Sequence, residues 1–210
     1  MKKTMEKLPE KQTNENCREQ QNHKSNNKNS KYVNSAKDVV FTALFSALTA
    51  IGAFIKFPLG EMHVTLQFLF TALAGVILEA KRAAISQAVY VFIGLIGVPI
   101  FTTGGGFGYV LQPSFGFLLG LIPSAFVIGK LTEKSKSLPR IIVACIAGLG
   151  ILYVIGLPYM YTILTLYIKK EVTIWTAIYT GMLVYLPGDF LKILITALLS
   201  KPLLKAISRN

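Results

Sequence analysis

From Ile141 to Ile168 the chain carries no charged side chain, and a helix of that length is longer than the roughly 30 Å hydrocarbon core of a bilayer. Such a segment points to a membrane protein. Composition agrees: 52% of the residues are hydrophobic and 15% charged, with a mean hydropathy of +0.52, against about 25% charged in an ordinary soluble domain. Once the polar first 36 residues are set aside, the 210-residue chain has room for about six crossings of about 20 residues.

The apolar runs place these crossings at residues 39–57, 64–78, 83–98, 113–131 and 141–168, with a final helix opened by Pro187. Several are short, so tilt or shielding by neighbours is expected. A short loop holding Glu61 and His63 separates the first two runs, and residues 173–185, with Trp175 and Tyr179, read as an interfacial or partly inserted segment. The expected fold is an all-α integral membrane protein, a six-transmembrane-helix bundle over residues 37–210. Residues 1–36, rich in Lys, Asn, Gln and Glu and without an apolar centre, read as a disordered polar cytoplasmic tail and not as a signal peptide.

The net charge of +12 is topological rather than a nucleic-acid footprint, because no basic, aromatic-studded soluble module carries it. Nine of the 22 Lys and Arg residues precede Asp38, and Lys81, Arg82, Lys130, Lys134, Lys136, Arg140, Lys201, Lys205 and Arg209 fall at the same side of the expected bundle. The other side holds Lys56, Lys169 and Lys170. Eighteen against three puts both termini in the cytoplasm of a multi-pass cell-membrane protein.

Enzyme chemistry finds little support. Gly129-Lys130 is followed by Leu131 and lacks the upstream glycine of a phosphate loop. His23 and His63 form no metal-ligand spacing with carboxylates, Cys17 and Cys145 form no disulfide framework, and no Ser/His arrangement suggests hydrolysis. Neither an internal repeat nor an inverted pair of broken helices is present, which weakens a self-sufficient alternating-access transporter.

The exception to this quiet sequence is Asp189 and Lys192, an acid and a base inside the run from Val172 to Ser200. At membrane depth each costs roughly 2.5 to 3.5 kcal/mol unless paired or facing a wet cavity. Spaced i, i+3, they share one helix face, behind Pro187 in the first helical turn. They are either an internal ion pair or a ligand site. The glycine-rich stretch Gly97 to Gln112, including Gly105 and Gly106, allows close backbone approach and offers N–H groups. Tyr109, Gln112 and Ser114 can close a pocket over it, and Gln67 is either a further pocket residue or an interhelical hydrogen-bonding group. Ala43, Ser46, Ala47 and Ala50 lay a strip of small residues on the first helix, for internal packing or for docking a partner.

Taken together, Gly97-Val98-Pro99, the Gly104 to Gly106 run, Pro113-Ser114-Phe115-Gly116 and Pro187-Gly188-Asp189-x-x-Lys192 resemble the BioY family, the biotin-specific substrate-binding subunits (S components) of energy-coupling-factor (ECF) transporters. The resemblance covers roughly residues 36 to 206. It implies a six-helix S-component fold that captures biotin on the outer side as transported ligand, with no cofactor and no covalent chemistry. It also implies a membrane coupling subunit and two cytoplasmic ATPases as partners, docked through a pattern that Ala43 and Ala47 match. Asp189 and Lys192 would grip the ureido ring. Phe101, Tyr109 and Tyr159 would enclose the thioether ring, and the glycine loop, Gln112 or Ser114 would receive the carboxylate. The sequence departs from the family at that last end: Phe115-Gly116-Phe117 replaces the common Gly-Gly-Tyr, Leu118 stands where some members carry arginine, and an asparagine of the glycine loop is absent. The competing readings are an S component or stand-alone transporter for another small vitamin, and a membrane-embedded enzyme with Asp189 as base.

Overall fold

The computed structural model describes residues 36–59 and 62–208, with side chains over residues 36–56 and 64–206. The expected polar tail lies outside the described residues except at Ala36, and so do Glu61 and the side chain of His63. The chain divides into two units, residues 1–40 and 41–210. Of the first, only the opening turns of helix α1 (Ala36–Phe54) are described; everything below concerns the second.

Helix α1 stops at Phe54, three residues before the expected end. Lys56–Leu59 (β1) then pairs antiparallel with Met62–Thr65 (β2), Lys56 opposite Thr65 and Phe57 opposite Val64. A β-hairpin therefore stands where a loop was expected, and the fold is mostly helical rather than all-α. Phe57, Val64 and Thr65 favour extended backbone, and Pro58, which has no N–H, is tolerated because each strand of a two-stranded sheet keeps an open edge.

Helices α2 (Gln67–Leu78) and α3 (Ala80–Leu95) follow. They are joined through Glu79 alone, whose φ of 69° is a left-handed value that costs a side-chain-bearing residue strain. At 12 and 16 residues, the two helices span only about 18 and 24 Å. Their surroundings compensate: every residue of α2 except Phe70 and Ile77 is buried among other helices, so its ends need not reach lipid headgroups.

A loop containing a 3-10 turn, Phe107–Leu111, leads to α4 (Phe115–Thr132). Helix α5 (Leu138–Thr162) continues through a π turn at Ile163–Tyr167. Helices α4 and α5 pack with glycines under bulky partners in both directions: a Cβ on Gly116 would lie 2.4 Å from that of Tyr159, and one on Gly156 would lie 2.4 Å from Cδ1 of Phe117. At the far end of α4 the same closeness recurs, with Gly129 set directly against the backbone of Ala80.

The last segment also differs from expectation. Residues 173–185 are not separate from the final crossing: α6 (Ile174–Ile178), a π turn (Tyr179–Leu183) and α7 (Leu186–Ser208) form one apolar helical stretch, Ile174–Ala206. The N–H of Val184 reaches back five residues to the carbonyl of Tyr179, and that of Asp189 donates normally to Tyr185. The π turn thus precedes Pro187 and carries the helix across the proline.

Among the described residues four helical stretches are long and apolar enough to cross a membrane: Ala36–Phe54, Phe115–Thr132, Leu138–Tyr167 and Ile174–Ala206. Large apolar side chains cover their outer faces, including Val154, Leu166, Trp175 and Phe190. In water such a surface would aggregate; against lipid it is the stable arrangement. This is the surface of a multi-pass membrane protein.

A chain of buried polar groups runs between α1, α2 and α3. Ser46 Oγ donates to the carbonyl of Ser86 at 2.6 Å, Gln87 Nε2 to Thr49 Oγ1 at 3.3 Å, and Thr71 Oγ1 to Gln87 Oε1 at 3.0 Å. Each partner removes a desolvation cost that hydrocarbon would otherwise impose. Ser46 is consequently turned inward, and the expected four-residue small strip on α1 splits: Ala43 and Ala47 are exposed, whereas Ser46 is 5% exposed and Ala50 is half-buried.

Candidate binding site

A cavity of about 170 Å³ opens between the hairpin, the glycine-rich loop and helices α2, α4, α5 and α7. A buried water needs only about 10 to 15 Å³ measured in this way, so the space suits a small organic ligand. Val64 and Thr65 of the hairpin, Thr102 and Thr103 of the loop, Gln112 and Ser114 line it, and so does the apolar wall of Phe68, Phe117, Leu118, Leu121 and Leu152.

At its buried end Asp189 and Lys192, each 6% exposed, form an ion pair with Lys192 Nζ 2.7 Å from Asp189 Oδ1. The second carboxylate oxygen, Oδ2, accepts the hydroxyl of Tyr153 from α5. Two donors therefore hold the carboxylate at the buried end of the cavity. Each carboxylate oxygen keeps lone-pair capacity, and the ammonium has three N–H groups of which this pair uses one. The cluster can thus accept an N–H and donate to a carbonyl within one ligand head.

Tyr153 was not expected from the sequence, where Tyr159 was preferred. Six residues apart on α5, the two point about 120° from each other around the helix. Only Tyr153 faces α7. Tyr159 instead donates to the carbonyl of Val110 and packs on Phe115 at 5.9 Å between ring centroids. It braces the 3-10 turn from outside the cavity lining.

In the glycine loop, Gly105 and Gly106 do not line the cavity. Gly106, at φ 99°, gives its N–H to the carbonyl of Gly94 at 2.7 Å, and a Cβ on Gly105 would lie 2.2 Å from the carbonyl oxygen of Val98. Gly105 and Gly106 let the loop fold back against the end of α3, outside the cavity lining, and the Gly106 N–H is already committed. From this loop Thr102 and Thr103 line the cavity instead.

Tyr109, Gln112, Ser114 and Gln67 all line the cavity. Tyr109 accepts from Ser114 Oγ at 3.3 Å and is backed by Phe101 at 4.6 Å between centroids, with Phe101 itself buried behind the wall. Gln67 accepts from Thr65 Oγ1 and donates Nε2–H to Tyr90 Oη, both at 2.8 Å. The interhelical bond and the pocket position therefore coexist in one residue. Among the described residues no three His, Cys, Asp or Glu side chains converge on a metal site.

The model of the BioY family matches residues 21–209. A probable biotin transporter BioY of Lysinibacillus sphaericus is 41% identical over 174 residues, covering 81% of this chain and 88% of the relative. The biotin transporter BioY of Thermotoga maritima is 34% identical over 170 residues, with 80% and 96% covered. Among solved structures, the S-component for biotin from an ECF-type ABC transporter superposes with a TM-score of 0.73 at 24% identity, over 82% of this chain and 93% of that one; at that identity the likeness is one of fold.

Proposed function

Because the chain belongs to the BioY family, we propose that the cavity between α2, α4, α5 and α7 captures biotin, as the S component of an ECF-type importer. The protein is a non-catalytic substrate-binding subunit of a biotin transporter. The observation that carries the site assignment is the Asp189, Lys192 and Tyr153 cluster at the buried end of the cavity. Biotin's ureido ring offers N–H donors beside a carbonyl acceptor, so Asp189 takes an N–H while Lys192 donates to the carbonyl. Tyr109, Phe117 and Leu152 enclose the thioether ring, as a mostly apolar pocket requires. The valerate tail then extends toward Thr102, Gln112 and Ser114.

In this reading six helices cross the bilayer, α6 and α7 together forming the sixth, and α2 does so by virtue of burial rather than length. Both termini are cytoplasmic, and the cavity mouth faces outward, following the distribution of Lys and Arg. A membrane coupling subunit and two ATPases supply the energy, and the coupling subunit docks on the exposed Ala43 and Ala47 face of α1.

Calorimetric titration of the purified chain with biotin tests the assignment. Stoichiometric binding, competed by desthiobiotin and not by thiamine or riboflavin, is expected. Displacement by either of the latter two would favour another vitamin, and turnover of the ligand would favour an enzyme.

A further inference from the structure

Charge around the cavity is unevenly provided. Asp189 and Lys192 are its charged lining side chains and they neutralise each other, while α4 contributes Phe117, Leu118 and Leu121. The walls therefore offer no net charge to a ligand with an anionic tail. A carboxylate left at the mouth needs a cation or must stay in water.

Lys56, outside the lining itself, stands beside residues of the mouth. It opens β1, opposite Thr65 in the hairpin register, and its Nζ donates to the carbonyl of Thr102 at 2.7 Å. Thr65 and Thr102 both line the cavity. Lys56 is exposed, as are the lining residues Thr103 and Gln112, so this is the open end, whereas Asp189 and Lys192 mark the closed one. The Thr102 bond uses one of the three ammonium N–H groups, and the four-carbon stem lets the others turn toward the mouth.

We propose that Lys56 recognises the carboxylate of the bound ligand, making the site selective for an anionic tail over a neutral one. The proposal rests on the biotin reading above, which sets the ring between Asp189 and Lys192 and sends the tail to this end. Two separate groups then divide the recognition: the buried pair reads the ring and Lys56 reads the tail.

Biotin and biotinamide share the bicyclic ring and differ in tail charge, so calorimetry of the full chain in detergent with both ligands isolates the effect. The wild type should prefer biotin. Lys56→Gln should lower biotin affinity about tenfold and leave biotinamide affinity unchanged, while Lys56→Arg should keep most of the preference. Equal losses for both ligands would reduce Lys56 to a fastener between hairpin and loop, and no loss for either would remove it from the site; both results overturn the proposal. A wild-type chain that binds neither ligand would overturn the biotin reading and this one with it.

Discussion

At the scale of single residues, the Asp189 carboxylate divides its two oxygens between Lys192 and Tyr153. Asp189→Asn preserves the shape of the side chain and removes the charge that strengthens every bond to it. Biotin affinity should fall about ten- to a hundredfold, measured by titration of protein that still elutes as a single folded species. Tyr153→Phe tests the other oxygen. It removes one neutral donor and leaves the ring packed against Phe117 at 6.2 Å between centroids. The expected loss is about two- to tenfold, and unchanged affinity would show that Lys192 alone orients the carboxylate. Lys192 and Asp189 were legible in the sequence because ionisable groups in an apolar run stand out. Tyr153 was not, since a tyrosine in the same setting becomes meaningful only once the rotation of α5 relative to α7 is known.

Among the elements, the distinction between breaks and bends decided what the sequence could reveal. Gly181 and Pro187 look like a boundary, yet a π turn absorbs the proline and one helical stretch continues. The hairpin was hidden for a related reason: the first apolar run reads on to Phe57, and only pairing with Met62–Thr65 makes Lys56–Leu59 a strand. The long runs that became α4 and α5 were plain, because each is too apolar for any other environment. Tightness between elements gives a prediction independent of the ligand. A Cβ on Gly129 would lie 2.6 Å from both N and Cα of Ala80, at the end of α2 remote from the cavity. Gly129→Ala should therefore cost about 1 to 3 kcal/mol through forced separation of α4 from the α2–α3 turn. A lower thermal midpoint in detergent with unaltered biotin affinity is expected; an unchanged midpoint would mean that the turn yields freely.

For the whole molecule, import requires that binding at one surface be followed by work done on another. The helix that offers Ala43 and Ala47 to the exterior is tied inward by Ser46 and Thr49 to α3, and α3 is tied to the cavity wall through the hydrogen bond of Gln67 to Tyr90. The exposed small side chains leave a shallow face against which another membrane helix can pack closely, and in lipid such closeness is a main source of helix association. Ala47→Trp fills that face without touching the cavity, since Ala47 lies on the exposed side of α1 and is absent from the cavity lining. Biotin binding by the isolated chain should remain at the wild-type level. On the proposed docking, uptake in cells supplying the coupling subunit and ATPases should fall to the background of cells lacking them, because the bulk separates α1 from the partner helix. Normal uptake by this variant would place docking on another face, and loss of binding as well would show that α1 is needed to hold the cavity together.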